Sequence, residues 1–93
     1  MKKIIIISAV WCPSCLILNK EIKNIKNEFP NLEIEKLDYD LDDIEEYNVG
    51  NTLPVIILKE DNTEIDRLIG EKSYDEVKEF LRWRNYYIYL YCL

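Results

Sequence analysis

Two runs of β-branched, apolar residues constrain this chain more than anything else in it. Residues 3–10 read KIIIISAV and residues 52–58 read TLPVIIL. Neither run alternates polar with apolar, so the strands they predict must be covered on both faces, as central strands between helices are. A chain of 93 residues has material for one core, and a domain this small buries only about 60–65% of its unfolded surface. Both runs therefore belong to the same sheet of a single domain spanning 1–93.

The segments between the runs supply the cover. Cys15, Leu18, Ile22, Ile25 and Phe29 recur at steps of three and four, which predicts one apolar stripe of a helix over 15–29, ended by Pro30. Leu32-Glu33-Ile34-Glu35 alternates and predicts a strand running on to Asp38. Asp38, Asp40, Asp42, Asp43, Glu45 and Glu46 then crowd together. Leu41, Ile44 and Tyr47 keep helical spacing among them, predicting a short helix with an acidic start. The acids themselves read as a solvated face. Pro54 stands at the start of the second apolar run, where proline is tolerated. Lys59 to Asn62 is turn chemistry, so 53–58 and 64–69 form a hairpin. Gly70 breaks the chain, and Ser73-Tyr74-Asp75-Glu76 is a capping box opening a last helix that turns Val77, Phe80 and Leu81 inward. The order is β-α-β-α-β-β-α. The first β-α-β needs a right-handed crossover to a parallel neighbour, while the hairpin is antiparallel. An α/β fold with a mixed four-stranded sheet flanked by helices closes these pieces.

Composition narrows the chemistry. Twelve basic against eighteen acidic residues give a net charge of −6, which argues against a nucleic-acid partner. There is no His, so imidazole bases and Cys-His or Ser-His nucleophile systems are absent. No stretch reaches the roughly 20 apolar residues of a membrane span, so no membrane association is expected. Met1-Lys2-Lys3 followed by four Ile opens like a signal peptide but lacks a small-residue cleavage site. With three Cys, too few for a secreted disulfide scaffold, this points to the cytoplasm.

Cys12 and Cys15 form a C-x-x-C, which serves as half of a zinc site, as two incidental core thiols, or as a redox dithiol. Zinc takes about four ligands, and only Cys92 and a carboxylate remain to complete such a set; no metal is expected. The redox reading draws on position. The pair lies where a buried strand meets the first turn of a helix, whose unpaired N–H groups and partial positive charge stabilise a thiolate. Cys15 lies on the apolar stripe and points inward, whereas Cys12 precedes it at the helix tip. Cys12 is thus the predicted attacking sulfur and Cys15 the resolving one. Pro13 presets φ for the first helical position, Ser14 adds no charge, and Trp11 either shields the pair from water or simply packs. A cis bond at Pro54, as against a trans proline marking a strand start, would leave the Leu53 backbone free to pair with an extended peptide beside Cys12.

Together these residues resemble a thioredoxin. The likeness is carried by W-C-P-S-C, by NLEIEKLD at 31–38, by the stretch from Tyr47 to Leu58 with Pro54 before VIIL, and by Gly70-Glu71-Lys72-Ser73 leading into EVKEFL; it covers residues 3–83. It implies a thioredoxin-like fold lacking the extra N-terminal strand and helix of full-length thioredoxins, so nearer the shorter glutaredoxin core. It also implies a protein-disulfide oxidoreductase using Cys12 and Cys15, with Trp11, Pro13, Leu53, Pro54 and Gly70 contacting substrate. The partners implied are disulfide-containing proteins and a flavoprotein disulfide reductase as electron donor, with no bound cofactor. Two sites depart from the thioredoxin pattern and one from that of glutaredoxins. Ile6 stands where thioredoxins carry a buried acid, although the Lys that neighbours it survives as Lys36. Pro13-Ser14 replaces the usual Gly-Pro. Glu71-Lys72-Ser73 replaces the glycine and paired acids with which glutaredoxins hold glutathione.

The alternatives are a glutaredoxin-like enzyme recharged by glutathione, a non-catalytic binding module that uses the Pro54 groove, and a thiol-based metal carrier. The aromatic tail, residues 86–93 with four Tyr, reads first as packing over bare surface and second as a self-association patch. Cys92 within it reads as a passenger thiol.

Overall fold

The computed structural model describes residues 2–82, so the expectations for residues 86–93 and Cys92 lie outside the described residues. The elements are β1 (Lys2–Ser8), α1 (Pro13–Glu28), β2 (Glu33–Asp38), a 3₁₀ turn (Glu45–Tyr47), β3 (Val55–Glu60) and β4 (Thr63–Ile69), followed by a helical stretch over 74–82.

The sheet order is β2-β1-β3-β4. β1 runs parallel to β2, with Ile6 opposite Lys36, and antiparallel to β3, with Ile6 opposite Ile56. β3 and β4 form the antiparallel hairpin, with a register shift at Leu58/Lys59. The two apolar runs are the two central strands: Ile4 to Ile7 and Val55 to Leu58 are all at most 2% exposed. Successive residues of a strand face opposite ways, so the runs divide between two cores. Ile4, Ile6, Ile56 and Leu58 face one side with Leu18 and Ile25 of α1 and Val77 and Leu81 of the last helix. Ile5, Ile7, Val55 and Ile57 face the other, with Cys12, Cys15 and Leu53.

That second face is covered by residues 39–49, and here the expected helix shrinks to the three-residue 3₁₀ turn. The acids explain why. Asp38 Oδ1 accepts the N–H groups of Asp40 and Leu41, Asp42 Oδ2 accepts that of Asp38, and Asp43 Oδ1 accepts that of Glu45. Short acidic side chains that satisfy nearby backbone donors compete with the helical ladder. Tyr39, Ile44 and Tyr47 still pack inward, but Leu41 is left 85% exposed. The predicted capping box forms, with Glu76 N–H donating to Ser73 Oγ and Ser73 N–H donating to Glu76 Oε1.

Candidate functional site

β1 delivers the chain to a tight turn, in which Cys12 N–H donates to the Ala9 carbonyl at 3.2 Å, and α1 begins at once. Cys12 is its N-cap, with extended backbone, and Pro13 opens the helix. The cap is a sulfur: Cys15 N–H donates to Cys12 Sγ at 3.3 Å, as an N-cap oxygen would accept. The Ser14 hydroxyl lies 3.4 Å from the same sulfur. Both thiols are free. Cys12 keeps 6% of its surface open and Cys15 none.

The environment pulls the two thiols apart. Burial alone would raise Cys12, but hydrogen bonds from the Cys15 thiol, the Ser14 hydroxyl and the backbone N–H groups of Cys15 and Ser14 outweigh it and hold Cys12 below the ordinary thiol range. Burial pushes Cys15 up to about 12, and the hydrogen bond to Cys12 and its charge add to the rise. The arrangement can therefore hold a thiolate at the tip of α1, with a small part of its surface open, over a protonated and fully buried thiol, which is the asymmetry that thiol–disulfide exchange uses.

Leu53 lies two residues before β3 and shares the apolar cluster of Cys12 and Cys15. The Leu53–Pro54 peptide bond is cis. The Leu53 carbonyl, expected to be free, receives the Ser14 hydroxyl at 3.5 Å. Gly70 is tied to the same corner: its N–H donates to the Pro54 carbonyl at 2.9 Å. Its φ of +92° favours glycine, and a Cβ there would meet Thr52 Cγ2 at 3.4 Å.

Trp11 lies 57% exposed, so core packing does not describe it. Its indole N–H donates to Asp40 Oδ2 at 2.7 Å, and its ring meets Tyr39 edge-on at 6.1 Å. Ile6 is fully buried opposite an exposed Lys36. Lys36, Ser8, Val10, Leu16 and Asn19 line a cavity of about 240 Å³. Among the described residues no cluster of Cys, Asp or Glu is placed to hold a metal ion, and no helix is long and apolar enough to cross a membrane. Sequence reasoning missed two groups. Ser14 carries no charge and so gave no signal, while Asp40 stood among acids read as a solvated face.

The thioredoxin family model matches residues 1–83. The chain is 35% identical over 75 residues to thioredoxin of Chlamydia pneumoniae, covering 78% of this chain and 69% of that protein. It is also 35% identical over 74 residues to thioredoxin H2 of Arabidopsis thaliana, covering 77% and 54%. The X-ray structure of Fasciola hepatica thioredoxin superimposes with a TM-score of 0.76 at 23% identity, over 87% of this chain and 79% of that one, a likeness of fold. With a family match running from the first strand into the last helix, and a C-x-x-C at the head of α1, the chain belongs to the thioredoxin family of thiol–disulfide oxidoreductases.

Proposed function

We propose that the chain reduces protein disulfides through Cys12 and Cys15. The Cys12 thiolate attacks a substrate disulfide, forming a mixed disulfide and expelling one substrate sulfur as a thiolate. That bond consumes the charge on Cys12. Burial still raises Cys15, but the hydrogen bond to Cys12 and the charge that added to the rise are then gone. Cys15 can then give its proton to the substrate thiolate released first, or to water, attack the Cys12 sulfur and release the second substrate thiolate, leaving a Cys12–Cys15 disulfide. Two electrons have passed to the substrate, and a flavoprotein disulfide reductase would return them.

The observation that carries this reading is the split between the two thiols, one lowered at the N-cap of α1 and one raised in the core beneath it. The Leu53–Pro54 corner beside Cys12 supports strand-like docking of an extended substrate, with Trp11, Pro13 and Gly70 around it. The cytoplasm, where thiols are kept reduced, suits this direction of electron flow.

Insulin-disulfide reduction with dithiothreitol tests the proposal. The protein should accelerate it, Cys12→Ser should not, and Cys15→Ser should accumulate covalent mixed disulfides with substrate proteins. A wild-type chain no faster than Cys12→Ser ends the reading.

A further inference from the structure

We propose that Ser14 is a positioning residue for the Cys12 thiolate, its single hydroxyl hydrogen passing between the Cys12 sulfur and the Leu53 carbonyl as Cys12 gains and loses charge. This rests on Cys12 being the attacking sulfur. Ser14 Oγ lies 3.4 Å from Cys12 Sγ and 3.5 Å from Leu53 O, and a hydroxyl has one hydrogen to donate. A neutral thiol is a weak acceptor, so the carbonyl holds the hydrogen while Cys12 is protonated. A thiolate makes a charge-assisted bond about twice as strong as a neutral one, so ionisation draws the hydrogen to sulfur.

The consequence reaches the docking corner. While Cys12 is a thiolate, the Leu53 carbonyl is open to a backbone N–H of an incoming peptide. When Cys12 attacks, its electron pair forms the new S–S bond and the old bond's pair leaves with the departing sulfur. The charge on Cys12 is then gone, and the hydroxyl returns to the carbonyl to compete with the bound peptide. The Cys15 N–H, which also donates to Cys12 Sγ, is fixed in the helix backbone and cannot make this exchange. Ser14 is half-buried in the first turn of α1, where rotation about one bond suffices.

The test uses the full chain with Cys92→Ser, so that Cys12 is the accessible thiol, and follows iodoacetamide alkylation of Cys12 against pH. Ser14→Ala should displace the profile to higher pH and slow alkylation about fivefold on its acidic side, the scale of the difference between a charge-assisted hydrogen bond to the thiolate and the neutral bond to the Leu53 carbonyl that it replaces. Ser14→Thr, which keeps the hydroxyl, should stay within about twofold of the parent. The carbonyl ¹³C resonance of Leu53 should move further through this titration in the parent than in the Ser14→Ala variant. A Ser14→Ala profile superimposed on that of the parent, or equal movement of the Leu53 resonance in both, overturns the inference. Alkylation needs no disulfide substrate. A chain inactive on insulin but showing the Ser14-dependent profile would lose the proposed function and keep this inference, and the opposite result would do the reverse.

Discussion

The two faces of the sheet are closed by different physics. On one, Ile4, Ile6, Ile56 and Leu58 meet α1 and the last helix in an aliphatic core, held by burial. On the other, Ile5, Ile7 and Ile57 meet the thiols and the segment 39–49, whose shape comes from exposed side-chain-to-backbone hydrogen bonds. Burial of a large aliphatic side chain contributes about 1.5–3 kcal/mol, while a typical hydrogen bond contributes about 0.5–1.5 kcal/mol. Both faces bury their strand side chains equally; what differs is the cover, a pair of helices held by burial on one and, beside the reactive sulfur, a segment shaped by individually weaker hydrogen bonds on the other.

Leu58→Ala gives the largest effect and tests that separation. Leu58 is fully buried in the aliphatic core, and its truncation should cost about 3 kcal/mol in urea unfolding. The alkylation rate of Cys12 in the folded variant should stay within about twofold of wild type, since none of the lost contacts touches the thiols. A tenfold change in that rate would mean that the two faces are not independent.

Alkaline unfolding, followed to pH 10, probes the thiol side with a smaller effect of about 1.4 kcal/mol. Cys15 is raised from 9.0 to about 12 in the native chain. Between those values the unfolded chain has released a proton that the native chain keeps, so rising pH favours unfolding. Cys12 is lowered in the native chain and contributes the opposite slope below 9.0. The stability of the reduced protein relative to its disulfide form should therefore climb toward pH 9 and fall beyond it, by at most about 1.4 kcal/mol per pH unit. Tyr47, Tyr74 and Lys3, also raised, titrate in both forms and cancel in the difference. A difference that is flat above pH 9 would remove the raised Cys15.

What the sequence disclosed follows the same division. β1 and β3 were legible as unbroken β-branched runs that must be covered on both faces, and α1 because one-sided burial writes a 3.6-residue period that a single helix displays by itself. The capping box was legible because its bonds span three residues. Over 39–44 the period was present, but the competing Asp side chains took the backbone donors, so helical spacing at Leu41 gave an exposed side chain. Trp11 and Asp40 are 29 residues apart, and Ser14 and Leu53 are 39 apart. Contacts of that kind leave no local pattern, which is why the setting of Cys12 was legible in its helix position and not in its hydroxyl neighbour.

Asp38→Ala gives the smallest effect and asks whether the second face is held as described. Asp38 Oδ1 accepts two backbone N–H groups at 2.8 and 3.1 Å, both exposed, so water can replace the carboxylate and the loss should be about 1 kcal/mol. Asp38→Asn keeps an acceptor oxygen in the same place and should recover about half of it. The local readout is more telling than the global one. Freed from Asp38, Asp40 should hold the Trp11 indole less well, and exchange of the indole N–H should quicken in Asp38→Ala and much less in Asp38→Asn. Unchanged stability together with unchanged indole exchange would show that the packing of Tyr39, Ile44 and Tyr47 closes this face without the acids. The contrast between the two faces would then reduce to one of packing density.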